Sequence, residues 1–316
     1  MSHAAHPQPL SGRVAVVTGA ARGLGAATAR ELDRRGARVA LLGLEGEHLA
    51  RVAATLHHEA ACWEVDVTDD AAMADAAAQV ASRLGPVSVV VANAGVAEGG
   101  PFVTSDPRSW RRIIEVNLVG SAVTARSFLP ALLATRGYYL QVTSLAAMGT
   151  SPLMSAYCAS KAGAESFAHA LRAELAHLGA GVGIAYLNWI DTDMIRDGDQ
   201  YAVLRELRAH MPRPARTIYP ADHVAARLGA AVERRSTSVY VPAWLRAVQP
   251  VRAFLPPIVT RVARTELPRL ARSDPFEATG LLGAGGRADQ DAQDARDARK
   301  DGSSGAAAGW GPAPEG

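Results

Sequence analysis

The sequence predicts a doubly wound α/β fold, a parallel seven-stranded sheet with helices on both faces. Two observations carry this reading. Short runs dense in β-branched and aliphatic residues alternate with longer stretches whose apolar positions recur near every 3.6 residues. The strand-like runs are continuously apolar rather than alternating, as expected of strands buried on both faces. Six runs are clear: "RVAVVTG" (13–19), "ARVALLG" (37–43), "VSVVVANAG" (87–95), "YYLQVTS" (138–144), "VGIAYL" (182–187) and "TSVYVP" (237–242). "ACWEVDV" (61–67) is a weaker seventh. Helical spacing is plain between them, as in "GAATARELDRRG" and "SAYCASKAGAESFAHALRAELAHLG". Strand–helix alternation with short connections implies right-handed crossovers. The crevice of such a sheet lies beyond the C-terminal ends of its strands.

This alternating domain spans residues 12–242, after a short N-terminus (1–11) expected to be flexible. Residues 243–282 change character: "AWLRAVQPVRAFLPPIVTRVARTELPRLARS" (243–273) interleaves large apolar residues with six arginines and one glutamate, Glu266. Its prolines argue for short helical pieces. The segment 243–273 reads first as a packed appendage; a cap over the pocket, an oligomer contact and a basic amphipathic surface that meets lipid are the alternatives. Residues 283–316 are rich in Gly, Ala and Asp, have little to bury and are expected to be disordered.

Composition narrows the function. With 33 Lys+Arg against 31 Asp+Glu, the formal charge is +2, which gives no field suited to nucleic acid. Two cysteines, Cys62 and Cys158, suggest no disulfide framework and a reducing compartment. The N-terminus lacks the layout of a signal peptide. No apolar run is expected to reach the roughly 18 residues of a membrane span. A cytoplasmic protein is expected.

Two motifs carry chemistry. "TGAARGLG" (18–25) follows the first strand and opens the first helix. Its glycines permit a tight turn, and the helix N-terminus offers free N–H groups to a pyrophosphate. "SAYCASKAG" (155–163) sets Tyr157 four residues before Lys161, on one helix face. Lysine is scarce here, occurring only at 161 and 300. A cation beside a phenol favours phenolate and lowers a pKa that is ordinarily about 10. A compact ammonium on a long stem does this in a way that a planar guanidinium does not.

With "DV" (66–67), "ANAG" (92–95), "VNLVG" (116–120) and "VTS" (142–144), these motifs occur in an order that resembles the short-chain dehydrogenase/reductase family. The resemblance covers roughly residues 12–242 and implies a Rossmann-like fold and NAD(P)-dependent oxidoreduction at a CH–OH group. It implies that Tyr157 is the acid/base, that Ser144 orients the substrate oxygen, and that Lys161 and Asn117 support the proton path. The cofactor residues it implies are Gly19, Arg22, Gly23, Leu24, Gly25, Glu45, Asp66, Val67, Asn93, Ala94, Gly95, Ile190 and Thr192, together with Tyr157 and Lys161. Gly43 stands where an NAD-preferring Asp would be, and Leu44 where many NADP enzymes have Arg. Arg22 would favour a 2′-phosphate, whereas Glu45 could still reach a ribose hydroxyl. The reading leans to NADP(H) over NAD(H). Leu187 and Asn188 replace the usual Pro-Gly, and Trp189 stands either at the substrate mouth or packed under the substrate loop.

Residues expected along the substrate crevice are apolar: Val96, Leu145, Met148, Leu153, Met154, Trp189, Ile190, Met194 and Ile195. A small apolar alcohol or ketone is favoured as substrate. Family resemblance also implies a homo-oligomer. The alternatives are a nucleotide-binding regulatory protein without catalysis and a membrane-peripheral, lipid-handling enzyme delivered by residues 243–273.

Overall fold

The computed structural model describes residues 8–209, 211–273 and 276–304. Seven strands form one parallel sheet: β1 (Val14–Thr18), β2 (Arg38–Gly43), β3 (Ala60–Glu64), β4 (Val87–Ala92), β5 (Tyr138–Ser144), β6 (Gly181–Leu187) and β7 (Ser238–Val241). Their spatial order is β3-β2-β1-β4-β5-β6-β7. The chain winds outward from β1 in one direction and from β4 in the other. The crevice at this reversal is where a doubly wound sheet holds its ligand.

Alternate residues of a strand face opposite sides, and β1 shows the consequence. Val14 and Val16 join Met73, Val80, Phe128 and Leu171, which come from helices Asp70–Leu84, Gly120–Ala134 and Ser155–Leu175. Ala15 and Val17 join Leu32 and Leu228 on the other face, from helices Gly23–Arg34 and Ala221–Arg234. The weakest expected strand is β3, at the sheet edge, where it is only partly buried. Edge position explains its polar content. Both cysteines are free.

Helix Pro107–Ile114 runs through a π-helical turn, Glu115–Val119, into Gly120–Ala134. By length and mean hydropathy this is one helix that could cross a membrane, although half of its most apolar stretch is buried within the protein. It is a core helix of the sheet layer.

Three expectations about the ends are corrected. Residues 8–11 are anchored: Leu10 is buried and its N–H donates to the Arg35 carbonyl at 2.9 Å. Residues 1–7 lie outside the described residues. The appendage begins with short pieces, Leu245–Val248 and Gln249–Phe254, but continues as one helix, Leu255–Ser273. Pro256 and Pro257 sit in its first turn, where a missing N–H costs nothing. The supposedly disordered tail forms a helix, Gly283–Ser304. Its Ala, Gln and Arg residues are good helix formers, and it docks through a few buried contacts rather than a broad apolar face. Residues 305–316 lie outside the described residues.

Candidate active site

The glycine turn sits between β1 and helix Gly23–Arg34. Gly19 has φ +63°, and a Cβ there would stand 2.9 Å from the Ala94 Cα. A Cβ on Gly25 would lie 2.0 Å from the Gly19 carbonyl oxygen. Only glycine allows this approach. The turn after β4 locks onto it: Asn93 and Ala94 donate their N–H groups to the Thr18 hydroxyl at 3.0 and 3.1 Å, and Asn93 Nδ2 donates to the Thr18 carbonyl at 3.0 Å. Thr18, buried at the end of β1, is a clamp that the sequence reading missed. The resulting cradle, open at a helix N-terminus, fits a dinucleotide pyrophosphate.

One cavity is lined by every expected site residue except Asn117. At one end of it, Ser144 closes β5 and accepts a hydrogen bond from the Ala146 N–H at 3.1 Å. Helix Ser155–Leu175 presents Tyr157 and Lys161 from one face. Tyr157 is partly exposed as a residue, but its phenol end is deeply enclosed. Burial pushes it up to about 12, against a hydrogen bond with Ser144 that pulls it down. The expected lowering by Lys161 is therefore corrected. The ammonium lies 5.7 Å from the centre of the tyrosine ring, over the ring, and does not offset burial. Lys161 is itself buried, and burial pushes it down to about 8.

Asn117 sits inside the π-helical turn and is completely buried. Its Nδ2 donates to the Val96 carbonyl and to the Ser160 hydroxyl, both at 2.9 Å, while its Oδ1 accepts from the Val96 N–H at 2.8 Å. The side chain thus ties the helix to the loop after β4. A Cβ on Gly95 would stand 3.1 Å from Asn117 Oδ1 and 3.2 Å from Lys161 Nζ, so this glycine lets both groups approach the same point. π-turns recur at functional sites; the asparagine in an apolar helix was the visible signal.

At the opposite end, Arg22 is bound by Glu45, with Nε to Oε2 at 2.8 Å, and reaches Asp193 at 3.3 Å. The hydrogen bond to Glu45 leads the forces that hold it charged. Asp66 is buried; burial raises its pKa, but hydrogen bonds from Thr68 and the charge of Arg112 keep it below its usual value. Thr192 precedes helix Asp193–Gly198 and touches the glycine turn: a Cβ on Gly23 would lie 3.2 Å from its methyl group.

Of the expected apolar crevice, Val96, Ile190, Met194 and Ile195 line the cavity, while Leu145, Met148, Leu153, Met154 and Trp189 do not. Trp189 packs instead under Arg208, whose guanidinium lies 5.7 Å from its ring centre. Sequence reasoning missed Arg112, which pairs with Asp66, and the residues between 282 and 289 that border the cavity, Asp289 in particular. No spacing rule links residues so far apart.

The family model for the short-chain dehydrogenases matches residues 13–201. The chain is a short-chain dehydrogenase/reductase. As such it is an oxidoreductase acting on CH–OH groups with a nicotinamide dinucleotide. It is 30% identical, over 68% of its length and 70% of the relative's, to dehydrogenase/reductase SDR family member 7B of Bos taurus. It is 36% identical to the cis-4-hydroxycyclohexanecarboxylate dehydrogenase of Sinomonas cyclohexanicum, over 58% of this chain and 75% of that one. A crystal structure of a short-chain dehydrogenase/reductase from Burkholderia phymatum in complex with NAD superposes with a TM-score of 0.68 at 27% identity, covering 76% of this chain and 93% of that chain. The short-chain dehydrogenase motifs therefore fall where the geometry had already assembled a cradle and a Ser–Tyr–Lys cluster.

Proposed function

We propose that this short-chain dehydrogenase/reductase interconverts an uncharged, apolar secondary alcohol and its ketone, with Tyr157 as general acid/base. The observation that carries the reading is the convergence of Ser144, Tyr157 and Lys161 on the cavity that also contains the glycine turn. The bound dinucleotide supplies or accepts the hydride. Ser144 donates a hydrogen bond to the substrate oxygen and holds it beside the phenol. Tyr157 gives its proton to that oxygen in reduction and takes it back in oxidation. Lys161, pushed down to about 8 by burial, gains a partner when ribose hydroxyls are brought to its Nζ. Asn117 fixes the loop against which both the lysine and the nicotinamide ring are placed. Val96, Met194 and Ile195 offer the substrate an apolar wall, which favours a neutral molecule.

The NADP(H) preference rested on an uncommitted Arg22. With Glu45 and Asp193 both on its guanidinium, a 2′-phosphate would have to displace one carboxylate and face the other. We infer that NAD(H) is preferred. The test is binding of NADH and NADPH to the purified chain, then turnover of a panel of neutral ketones by the wild type and Tyr157→Phe. Bound dinucleotide with turnover that survives the substitution would contradict the role of Tyr157.

A second reading concerns the appendage. Val251, Phe254, Ile258 and Val262 are exposed at helical spacing on residues 249–273. Five arginines lie within the same residues against one glutamate. Basic charge around an apolar helical face complements an anionic lipid surface, and we infer that the enzyme meets its apolar substrate there.

A further inference from the structure

The family match ends at residue 201, yet the dinucleotide cavity has an outer wall drawn from far beyond it: Leu282, Gly283, Gly285, Gly286, Ala288 and Asp289. Three anchors hold this wall. An extended stretch pairs with the loop after β4: the Thr279 N–H donates to the Gly99 carbonyl and the Leu282 N–H to the Ala97 carbonyl, each at 2.8 Å, with an antiparallel bridge between Glu98 and Leu281. Next, the Gly283 N–H donates to Asp197 at 3.1 Å, and Arg287 also binds Asp197. Gly283 has φ +81°, and a Cβ there would stand 2.8 Å from Met194, so the close approach depends on glycine. Finally, Asp289 is buried at 2% exposure and accepts from Arg112 Nε at 2.8 Å and Nη2 at 2.6 Å. Arg112 in turn donates to Asp66 at 2.6 Å and to Thr68 at 3.0 Å.

The third anchor crosses the adenosine half of the site. Asp66 and Val67 border the cavity from the segment just after β3, and Asp289 meets Asp66 through Arg112 from the far side. Near the other end, a Cβ on Gly285 would lie 4.0 Å from Arg22 Cδ. The segment therefore spans from the ribose region to the adenine edge. Its character is that of a wall and not of a plug. The cavity-facing residues of the helix are mostly glycine and alanine, which leave room. The one acid is held in an ion pair with Arg112 and does not face the pyrophosphate as a bare charge.

We propose that residues 276–289 form a strap over the adenosine half of the dinucleotide site, with Arg112–Asp289 as its latch and Asp289 as a cofactor-positioning residue. A dinucleotide enclosed between the glycine turn and the strap leaves only after the latch opens, so the strap sets its dissociation rate. The inference rests on the reading that this cavity takes a nicotinamide dinucleotide.

The test uses the full chain and NADH. Asp289→Asn keeps the shape of the side chain, and Arg112 remains paired with Asp66, so the fold has no orphaned buried charge. Stopped-flow fluorescence of bound NADH is expected to give a dissociation rate at least tenfold faster in Asp289→Asn than in the wild type. A rate within twofold, or slower release, would overturn the strap. In the wild type, hydrogen exchange of amides 281–292 is expected to slow at least tenfold with saturating NADH, a change that a purely structural helix would not show; unaltered exchange overturns the proposal independently of any variant. Failure of the wild type to bind NADH or NADPH at all would remove the site reading and the strap with it, and so is distinct from failure of the latch alone.

Discussion

Replacing Lys161 with methionine should destroy activity and at the same time stabilise the protein. The ammonium is buried, 5% exposed, and its pKa falls from 10.5 to about 8 through burial alone. That gap of roughly 2.5 pH units corresponds to about 3 kcal/mol of destabilisation. The sign follows from proton counting. Below pH 8 both the folded and unfolded chains carry the charge, and the folded chain bears the full cost of burying it. Between about 8 and 10.5 the folded state gives up the proton first, so stability rises with pH. Above 10.5 both states are neutral and the cost has vanished. Lys161→Met has similar length and no charge, so at pH 7 it should be more stable by up to about 3 kcal/mol, equivalent to a melting temperature higher by about 6–12 °C. Denaturant unfolding followed by tryptophan fluorescence at pH 7, 9 and 10.5 measures it. The advantage should shrink as pH rises. A variant that is no more stable at pH 7, or whose advantage does not depend on pH, would refute the claim that this lysine is held at the expense of the fold.

Other substitutions probe the remaining assignments. Tyr157→Phe should lower kcat by about 10²–10⁴-fold, the usual worth of a positioned acid/base, with NADH affinity little altered by fluorescence titration. Gly43→Asp adds a Cβ whose nearest neighbour, Leu49 Cδ2, is an ordinary 3.6 Å away; the ratio of NADPH to NADH dissociation constants should rise at least tenfold. Glu45→Gln should move that ratio the other way by releasing Arg22. Asn117→Ala removes two donated hydrogen bonds and one accepted one from a fully buried side chain and should cost about 2–3 kcal/mol, because the Val96 N–H and carbonyl lose their partners. Flotation with anionic liposomes should carry the wild-type chain but not Phe254→Ser/Ile258→Ser; equal flotation would remove the lipid reading.

The legible parts of this protein were those written in local spacing. The strands were read from continuous apolar runs, the cradle from three glycines within seven residues, and the Tyr157–Lys161 pair from a four-residue step along one helix. Each depends on neighbours in the chain, so a linear text suffices. Arg22 shows the limit. Its presence was plain, but its effect depends on Glu45 and Asp193, which reach it from other elements and cancel its charge. The direction of the Tyr157 shift was misjudged for a related reason: spacing places the cation, while burial, which spacing does not report, decides the outcome. The tail was misread because composition measures how much apolar surface a segment can bury, whereas the helix at 283–304 is fastened by specific polar contacts.

The sequence by itself determined the sheet, its winding, the phosphate turn and the pairing of Tyr157 with Lys161 on one helix face, because periodicity and short motifs encode those within a few tens of residues. The tertiary structure alone decided the electrostatic state of the site and its outer wall. Charge–charge distance and burial depend on segments that meet only after folding, as Arg112 and Asp289 do across 177 positions of the chain.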